Sequence, residues 1–361
     1  MKRKTIMLLV TYGCNLRCTY CYEPKTASYQ MSATDAIRYI DNIVSTLDDS
    51  YDEYEVQFMG GEPLMVFEMI QEVSEWLWCH PQKIPLGMLF AATNGTLLTD
   101  EMKRWLTANK ERFCLGLSYD GNRFMQDVNR SRSSSLIDTD FFSATWPDQS
   151  VKMTISPQTL SLLYSGVMAL HSRGFSNVTV DLAMGKTVMW RKEHLTVFQE
   201  QLELLADFYV QHPEFNVVSL LNIDIAKVLS RNQMSKKCGC GETLVTVDHD
   251  GQQYACHLFS PIAAPMILAK NSQGIDFSDH DVFISKECKE CFLSPVCISC
   301  YGMNYTVNGD VSRQSPFTCA AFKLQFKISC QMQLEKSKKC ESEKAELLER
   351  IIKILNDNKN G

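Results

Sequence analysis

Three cysteines stand close together near the start of the chain, Cys14, Cys18 and Cys21, in the run Thr11-Tyr-Gly-Cys-Asn-Leu-Arg-Cys-Thr-Tyr-Cys21. They follow directly on Thr5-Ile-Met-Leu-Leu-Val-Thr11, an apolar run that reads as a buried strand. A CxxxCxxC loop supplies three thiolates, whereas an iron–sulfur cube takes four ligands. One iron is then left with open coordination sites, where something other than protein can bind and react. Eight of the fifteen cysteines fall later, between Cys238 and Cys319, while Cys79, Cys114, Cys330 and Cys340 are scattered and read as ordinary core or surface residues. With no secretory signal ahead of them, so many cysteines point to metal or redox chemistry rather than a disulfide scaffold. In the later group, Cys238-Gly-Cys240 precedes a hairpin pattern, Val245-Thr-Val-Asp-His-Asp-Gly251-Gln-Gln-Tyr-Ala-Cys256, with an Asp-Gly turn. Cys288-x2-Cys291, Cys297-x2-Cys300 and a lone Cys319 follow. Taken alone, the paired CxxC spacings read as a zinc ribbon.

The elements that must position these groups alternate. Strands are expected at Thr5–Thr11, Tyr54–Met59, Met88–Thr93, Phe113–Ser118, Val151–Ser156 and Asn177–Met184. Helices are expected between them at Thr34–Leu47 (Ser32 as N-cap), Val66–Trp78, Asp100–Asn109, Pro157–Arg173 and Arg191–Val210. Such alternation argues for an α/β fold, a parallel sheet with helices outside. The strand ends carry turn-like runs: Gly60-Gly61-Glu62-Pro63, Thr93-Asn94-Gly95 and Ser118-Tyr-Asp120-Gly121, then Asp127-Val-Asn129-Arg130. Each alone reads as a plain turn or solvated loop. The tail from Phe322 to Asn356, with Leu347, Leu348, Ile351, Ile352 and Leu355, has helical spacing and reads as helices packing on the rest of the protein, core packing being favoured over a partner. A net charge of -6 argues against a broad basic surface for nucleic acid. No stretch approaches the length of a membrane span.

The CxxxCxxC loop and Gly60-Gly61-Glu62-Pro63 together resemble the radical S-adenosylmethionine (radical SAM) superfamily. The resemblance implies a partial (β/α)6 TIM-like barrel whose chemistry sits at the strand C-terminal ends. It implies a 4Fe–4S cluster on Cys14, Cys18 and Cys21, with SAM's methionyl amine and carboxylate on the fourth iron. In that family the backbone of the motif formed here by Gly60, Gly61, Glu62 and Pro63 receives the amino group of SAM, and the position of Asn94 closes off the site. Tyr20 has the family's aromatic position near the adenine, and Leu182-Ala183-Met184 should add apolar contact. The runs at Ser118–Gly121 and Asp127–Arg130 resemble the Ser-x-Asp-Gly and His-Asp-x-x-Arg region of the peptide-modifying subgroup. This implies Ser118 and Arg130 near SAM's ribose and carboxylate, which an arginine fork can hold bidentately. Gln126 stands where that pattern has histidine.

The order of the later cysteines resembles the SPASM domain, which carries two auxiliary 4Fe–4S clusters. By that resemblance Cys238, Cys240, Cys256 and Cys300 hold the first, and Cys288, Cys291, Cys297 and Cys319 the second. The last gap of the block is two residues here, against three in the family, and Cys238 and Cys240 are tightly spaced. Either departure would open a site on the first auxiliary cluster. The expected domains are a barrel over 1–230, the SPASM domain over 231–325 and a helical tail over 326–361.

The implied reaction begins with a 5′-deoxyadenosyl radical that takes hydrogen from a ribosomal peptide or protein, and it needs an external one-electron donor. His257 follows the second SPASM cysteine, where sulfatase maturases carry a catalytic aspartate. That favours a crosslinking maturase, thioether above all, over one that makes formylglycine; a non-catalytic zinc or iron–sulfur module is the remaining alternative. The expected location is cytoplasmic, with no nucleic-acid or membrane partner. Because the first strand starts so near Met1, no leader-binding module is expected ahead of the barrel.

Overall fold

The computed structural model describes residues 1–23, 29–229, 236–338 and 348–353. Six strands run in chain order: β1 (Arg3–Thr11), β2 (Glu53–Gly60), β3 (Leu89–Thr93), β4 (Phe113–Leu117), β5 (Val151–Ile155) and β6 (Val178–Leu182). β1 to β4 pair in parallel with their neighbours, and β5 pairs in parallel with β6. Between β4 and β5 the ladder fails, and a lone parallel bridge joins Ser118 to Lys152. The result is a partial parallel barrel with a seam.

Helices cover its outer face: α1 (Ala33–Ser45), α2 (Phe67–Cys79), α3 (Asp100–Ala108), α4 (Arg123–Asn129), α5 (Thr139–Thr145), α6 (Leu163–His171) and α7 (Glu193–Gln211). Alternate strand residues such as Ile6, Leu8, Val10, Val56 and Phe58 are fully buried in one core with Ile40, Ile70 and Val73 of the helices. Of the positions between and beside them, Met7 and Leu9 are buried and apolar, whereas Thr5, Glu55 and Gln57 are polar. Thr5 and Gln57 both donate to Glu55 Oε1, at 2.9 and 2.7 Å, and Arg3 donates to Glu55 Oε2 at 2.9 Å. On the far side, Lys152 and Asp181 form a half-exposed ion pair at 3.0 Å. Ser32 caps α1 as expected, its hydroxyl accepting from the Asp35 amide. The expected helix Pro157–Arg173 is shorter, because Ser156–Thr159 forms a turn and a 3-10 turn over Leu160–Leu162 precedes α6. α4 and α5 escaped the sequence reading: two turns each are too short to show a period.

The C-terminal part is joined to the barrel through the sheet itself. β7 (Leu244–Val247) lies parallel to β1 on the edge opposite β2, with Thr5 against Leu244 and Leu8 against Val247. It turns at Gly251, φ +86°, into antiparallel β8 (Gln253–Tyr254), which is the expected hairpin. α8 (Met266–Ser272), α9 (Lys286–Lys289), α10 (Tyr301–Asn308) and α11 (Pro316–Ser337) follow. α11 runs through the expected boundary at 325/326 and packs along α7, and Ser329 Oγ donates to Leu221 O at 2.6 Å. Leu348 and Ile351 pack with Ile225, Phe322, Phe326 and Cys330, in line with a tail that packs on the core. The expected boundary at 230/231, Cys340, Leu347, Leu355 and Asn356 lie outside the described residues.

Phe58, wholly buried on the strand that leads to Gly60, stacks on Phe113 across the core. Phe58→Ala is expected to lower unfolding stability by about 3–5 kcal/mol, read as a lower urea midpoint at unchanged slope.

Candidate active site

The loop after β1 has little regular hydrogen bonding of its own and is held from several sides. From β2, the Gly61 amide donates to Thr11 O at 2.9 Å and the Glu62 amide to Gly13 O at 2.8 Å. That approach needs glycine: a Cβ on Gly61 would lie 2.2 Å from Gly13 O and 2.9 Å from Cys14 Cβ. The Glu62 side chain points into the protein. Its carboxylate accepts from the Leu64 amide at 3.0 Å, the Thr93 hydroxyl at 2.7 Å and the Asn94 amide at 2.8 Å. Burial raises its pKa, and those bonds pull the other way. Pro63, buried behind it, opens a short 3-10 turn. Asn94 in turn donates through Nδ2 to Asn15 Oδ1 at 2.9 Å, inside the cysteine loop. Cys14, Cys18 and Cys21 are all half-buried, and the Leu16 amide points at Cys14 Sγ, 3.4 Å away.

The opposite side is built around Asp120, which has no exposure to solvent. Oδ2 accepts from the Tyr20 hydroxyl at 2.6 Å and from Asn129 Nδ2 at 3.1 Å. Oδ1 accepts from the Thr154 amide at 2.9 Å, across the seam between β4 and β5. Oδ1 also lies 3.0 Å from Arg130 Nε. Arg130 is buried, lies 5.5 Å from the Tyr20 ring centroid, and its Nε makes no hydrogen bond. Burial works against its charge, but Asp120, Tyr20 and the Cys18 sulfur together hold its pKa above the ordinary arginine value. Gln126, where the family pattern has histidine, is fully buried: Oε1 accepts from the Asp120 amide at 2.8 Å and Nε2 donates to Ser133 Oγ at 2.8 Å. Beyond Arg130, Ser131 and Arg132 hold positive φ, +55° and +58°, unusual outside glycine. This bend brings Ser131 Oγ to the Arg17 amide at 2.8 Å and Asn129 O to the Thr19 amide at 2.9 Å. Ser118 is half-buried at the seam, its amide bonded to Thr93 O at 2.9 Å. A cavity of about 350 Å³ opens beside Tyr20, lined also by Thr19, Ser156, Gln158, Thr187 and Arg191.

The later cysteines fall into two electrostatic groups. Burial pushes Cys256 up to about 12, and Cys300 and Cys238 add to the shift. Cys238 and Cys240, with sulfurs 3.3 Å apart, share a proton that favours thiolate on Cys238 and thiol on Cys240; Cys256 reinforces the latter. Cys297 is likewise pushed up to about 12 by burial, and here the neighbours are Cys319, Cys288 and Cys291. Sulfurs gathered in this way oppose one another's ionisation, a penalty that a bound cation removes. His257, the first residue after Cys256, is half-buried, and its Nδ1 is buried with no hydrogen-bond partner. Burial lowers its pKa to about 4, so the imidazole is neutral near pH 7, and Lys152 pushes the same way. Its ring lies 5.9 Å from that of Tyr22, which is within electrostatic reach of Cys21, Cys256 and Cys300. Sequence reasoning did not find Asp120, Gln126, Asn129 or Tyr22 as site residues. Asp120 stood in a quoted motif, but nothing in its type or spacing said which groups it would bind.

Gly61→Ala is expected to displace backbone rather than a flexible side chain. It should cost about 1–3 kcal/mol by urea unfolding and, in the reconstituted protein, lower the iron retained at the cysteine loop.

Residues 8–137 match the family model of the Radical SAM superfamily. An uncharacterized protein of Methanocaldococcus jannaschii is 26% identical over 204 residues, covering 54% of this chain and 66% of its own. A cysteine-type anaerobic sulfatase-maturating enzyme of Clostridium perfringens is 29% identical over 125 residues, covering 33% of each chain. The alignments thus span just under two thirds and one third of these relatives. Among solved structures, anSMEcpe with bound AdoMet is similar at a TM-score of 0.72 and 18% identity, over 97% of this chain and 98% of that one. Streptococcus suis SuiB bound to the precursor peptide SuiA is similar at 0.60 and 16%, over 88% and 76%. Residues 8–137 thus carry the pattern of the Radical SAM superfamily, and the chain has the fold of anSMEcpe.

Proposed function

We propose that this chain is a maturase that modifies a peptide or protein, with a 4Fe–4S cluster on Cys14, Cys18 and Cys21 and SAM beside it. The observation that carries the reading is Arg130: a buried cation near Cys18, beside a loop of three thiols, with its Nε turned to Asp120 at 3.0 Å. The other nitrogens of the guanidinium fork suit a carboxylate ligand. In this reading Arg130 holds the SAM carboxylate, the backbone of Gly60, Gly61, Glu62 and Pro63 faces the amino group, and Tyr20, Asn94 and Ser118 enclose the remainder. When bound, cluster and SAM supply hydrogen abstraction from an unactivated carbon. The electron comes from an external donor. Among the described residues no helix is long and apolar enough to cross a membrane.

The later cysteines would hold two auxiliary clusters, Cys238, Cys240, Cys256 and Cys300 in one and Cys288, Cys291, Cys297 and Cys319 in the other. Their electrostatic grouping supports that division. A zinc ion with Zn–S near 2.3 Å would draw its sulfurs to about 3.8 Å apart. Among the described residues no three cysteine sulfurs lie within 4.8 Å of one another.

The modification we favour is a thioether crosslink. Joining a cysteine sulfur to carbon removes one S–H and one C–H: the hydrogen atom from carbon would go to the 5′-deoxyadenosyl radical, the remaining electron to an auxiliary cluster, and the thiol proton to a base, for which His257 with its unpartnered Nδ1 is the candidate. Formylglycine formation is the second reading, favoured by the similarity to the clostridial sulfatase-maturating enzyme. A product mass spectrum separates them: loss of two hydrogens and one thiol marks the crosslink, and conversion of cysteine to an aldehyde marks formylglycine.

Cys14→Ala, Cys18→Ala and Cys21→Ala are each expected to abolish SAM cleavage, measured as 5′-deoxyadenosine under reducing, oxygen-free conditions. Cys291→Ala and Cys297→Ala should retain part of that cleavage and lose product. Iron should reach about twelve per chain, three four-iron clusters; about four irons with zinc would turn the C-terminal part into a structural ribbon. His257→Ala should leave SAM cleavage intact and suppress crosslinking, and full product yield would reduce His257 to a packing residue.

A further inference from the structure

We infer that Asp120 is the positioning residue of the SAM site: it sets Tyr20 and Arg130 together and ties both to the seam of the barrel. The inference rests on the reading above that this site takes SAM.

Each bond of the carboxylate goes to a different part of the fold. The Tyr20 hydroxyl, at 2.6 Å, belongs to the cysteine loop between Cys18 and Cys21. Asn129 Nδ2, at 3.1 Å, belongs to the last turn of α4, and the same residue's carbonyl takes the Thr19 amide. The Thr154 amide, at 2.9 Å, belongs to β5, where no ladder from β4 is available to satisfy it. Among the described residues Arg130, 3.0 Å away, provides the one opposite charge at contact distance. Asp120 is itself oriented by its own amide bond to Gln126. The carboxylate uses both oxygens internally and has no exposure, so it does not reach a ligand itself. It acts through the two side chains it holds. Arg130 sits beyond the end of a seven-residue helix, next to two residues in left-handed conformation, and its Nε makes no other bond. Without Asp120, the guanidinium loses the one ion-pair contact that fixes its plane among the described residues.

The test uses the full chain, reconstituted without oxygen, as wild type, Asp120→Asn and Asp120→Glu. Asparagine keeps an oxygen for Tyr20 or Thr154 but removes the charge facing Arg130. Glutamate keeps the charge and displaces it by one methylene. Three quantities are read: iron content, the dissociation constant for SAM by equilibrium dialysis, and the change in the reduced cluster's electron paramagnetic resonance spectrum on adding SAM. Both variants are expected to retain wild-type iron, to bind SAM about tenfold or more weakly, and to lose the SAM-induced spectral change. Binding weakened by less than tenfold in a variant with full iron overturns the inference. So does loss of iron in step with loss of binding, which would make Asp120 a brace for the loop alone. If Asp120→Asn does not fold, Asp120→Glu decides by the same criteria. Failure of the wild type to bind SAM would instead bring down the reading of the site, and the inference with it.

Discussion

The loop that carries Cys14, Cys18 and Cys21 has to hold three sulfurs in one arrangement with little ladder or helix of its own to do it. A peptide without regular hydrogen bonding keeps a single shape only if its amides and carbonyls find partners elsewhere. Here they find them in three other loops. The turn after β2 reaches Thr11 and Gly13, Asn94 after β3 reaches Asn15, and the bend after α4 takes the amides of Arg17 and Thr19. Two buried carboxylates stand behind these loops, Glu62 joining the second and third strand ends and Asp120 joining the fourth and fifth. The parallel barrel matters to the site because it brings these strand ends to one rim.

Charge is distributed unevenly around that rim. The cysteine loop side carries Arg130, compensated by Asp120 and close to Cys18. The C-terminal side carries thiols whose ionisation is opposed by burial and by one another. Tyr22 lies between the two, and neutral His257 packs beside it. A neutral, half-buried imidazole near a half-exposed ion pair, Lys152 with Asp181, gives this side of β5 and β6 a polar character that a packed barrel core lacks.

Most of this frame was legible in the sequence because it depends on local pattern. The six strands lie within a residue or two of their β-branched runs, and Ser32 declared the start of α1. The hairpin around Gly251 was marked by its Asp-Gly pair. Other features depend on partners distant in the chain and left no local trace. Glu62 stood inside a recognisable motif, yet its inward carboxylate is set by Thr93 and Asn94. Gln126 looked like a departure from a family pattern, and its role as the clamp on Asp120 and Ser133 depends on the bend at Ser131. The apolar run of β7 signalled a strand but not that its neighbour would be β1.

That last pairing bears on how the protein comes to be made. β1 is bordered by β2 on one edge and by β7 on the other, and Tyr12, at the root of the cysteine loop, donates to Asp248 just beyond β7 at 2.7 Å. During synthesis β1 keeps an open edge until β7 has been made, after all of β2 to β6. Contacts so far apart in the chain are slow to form and leave an unpaired edge exposed meanwhile. The loop that carries Cys14, Cys18 and Cys21 thus leaves the ribosome long before β7 yet reaches its final shape only once β7 is in place, and metal insertion there would follow that step.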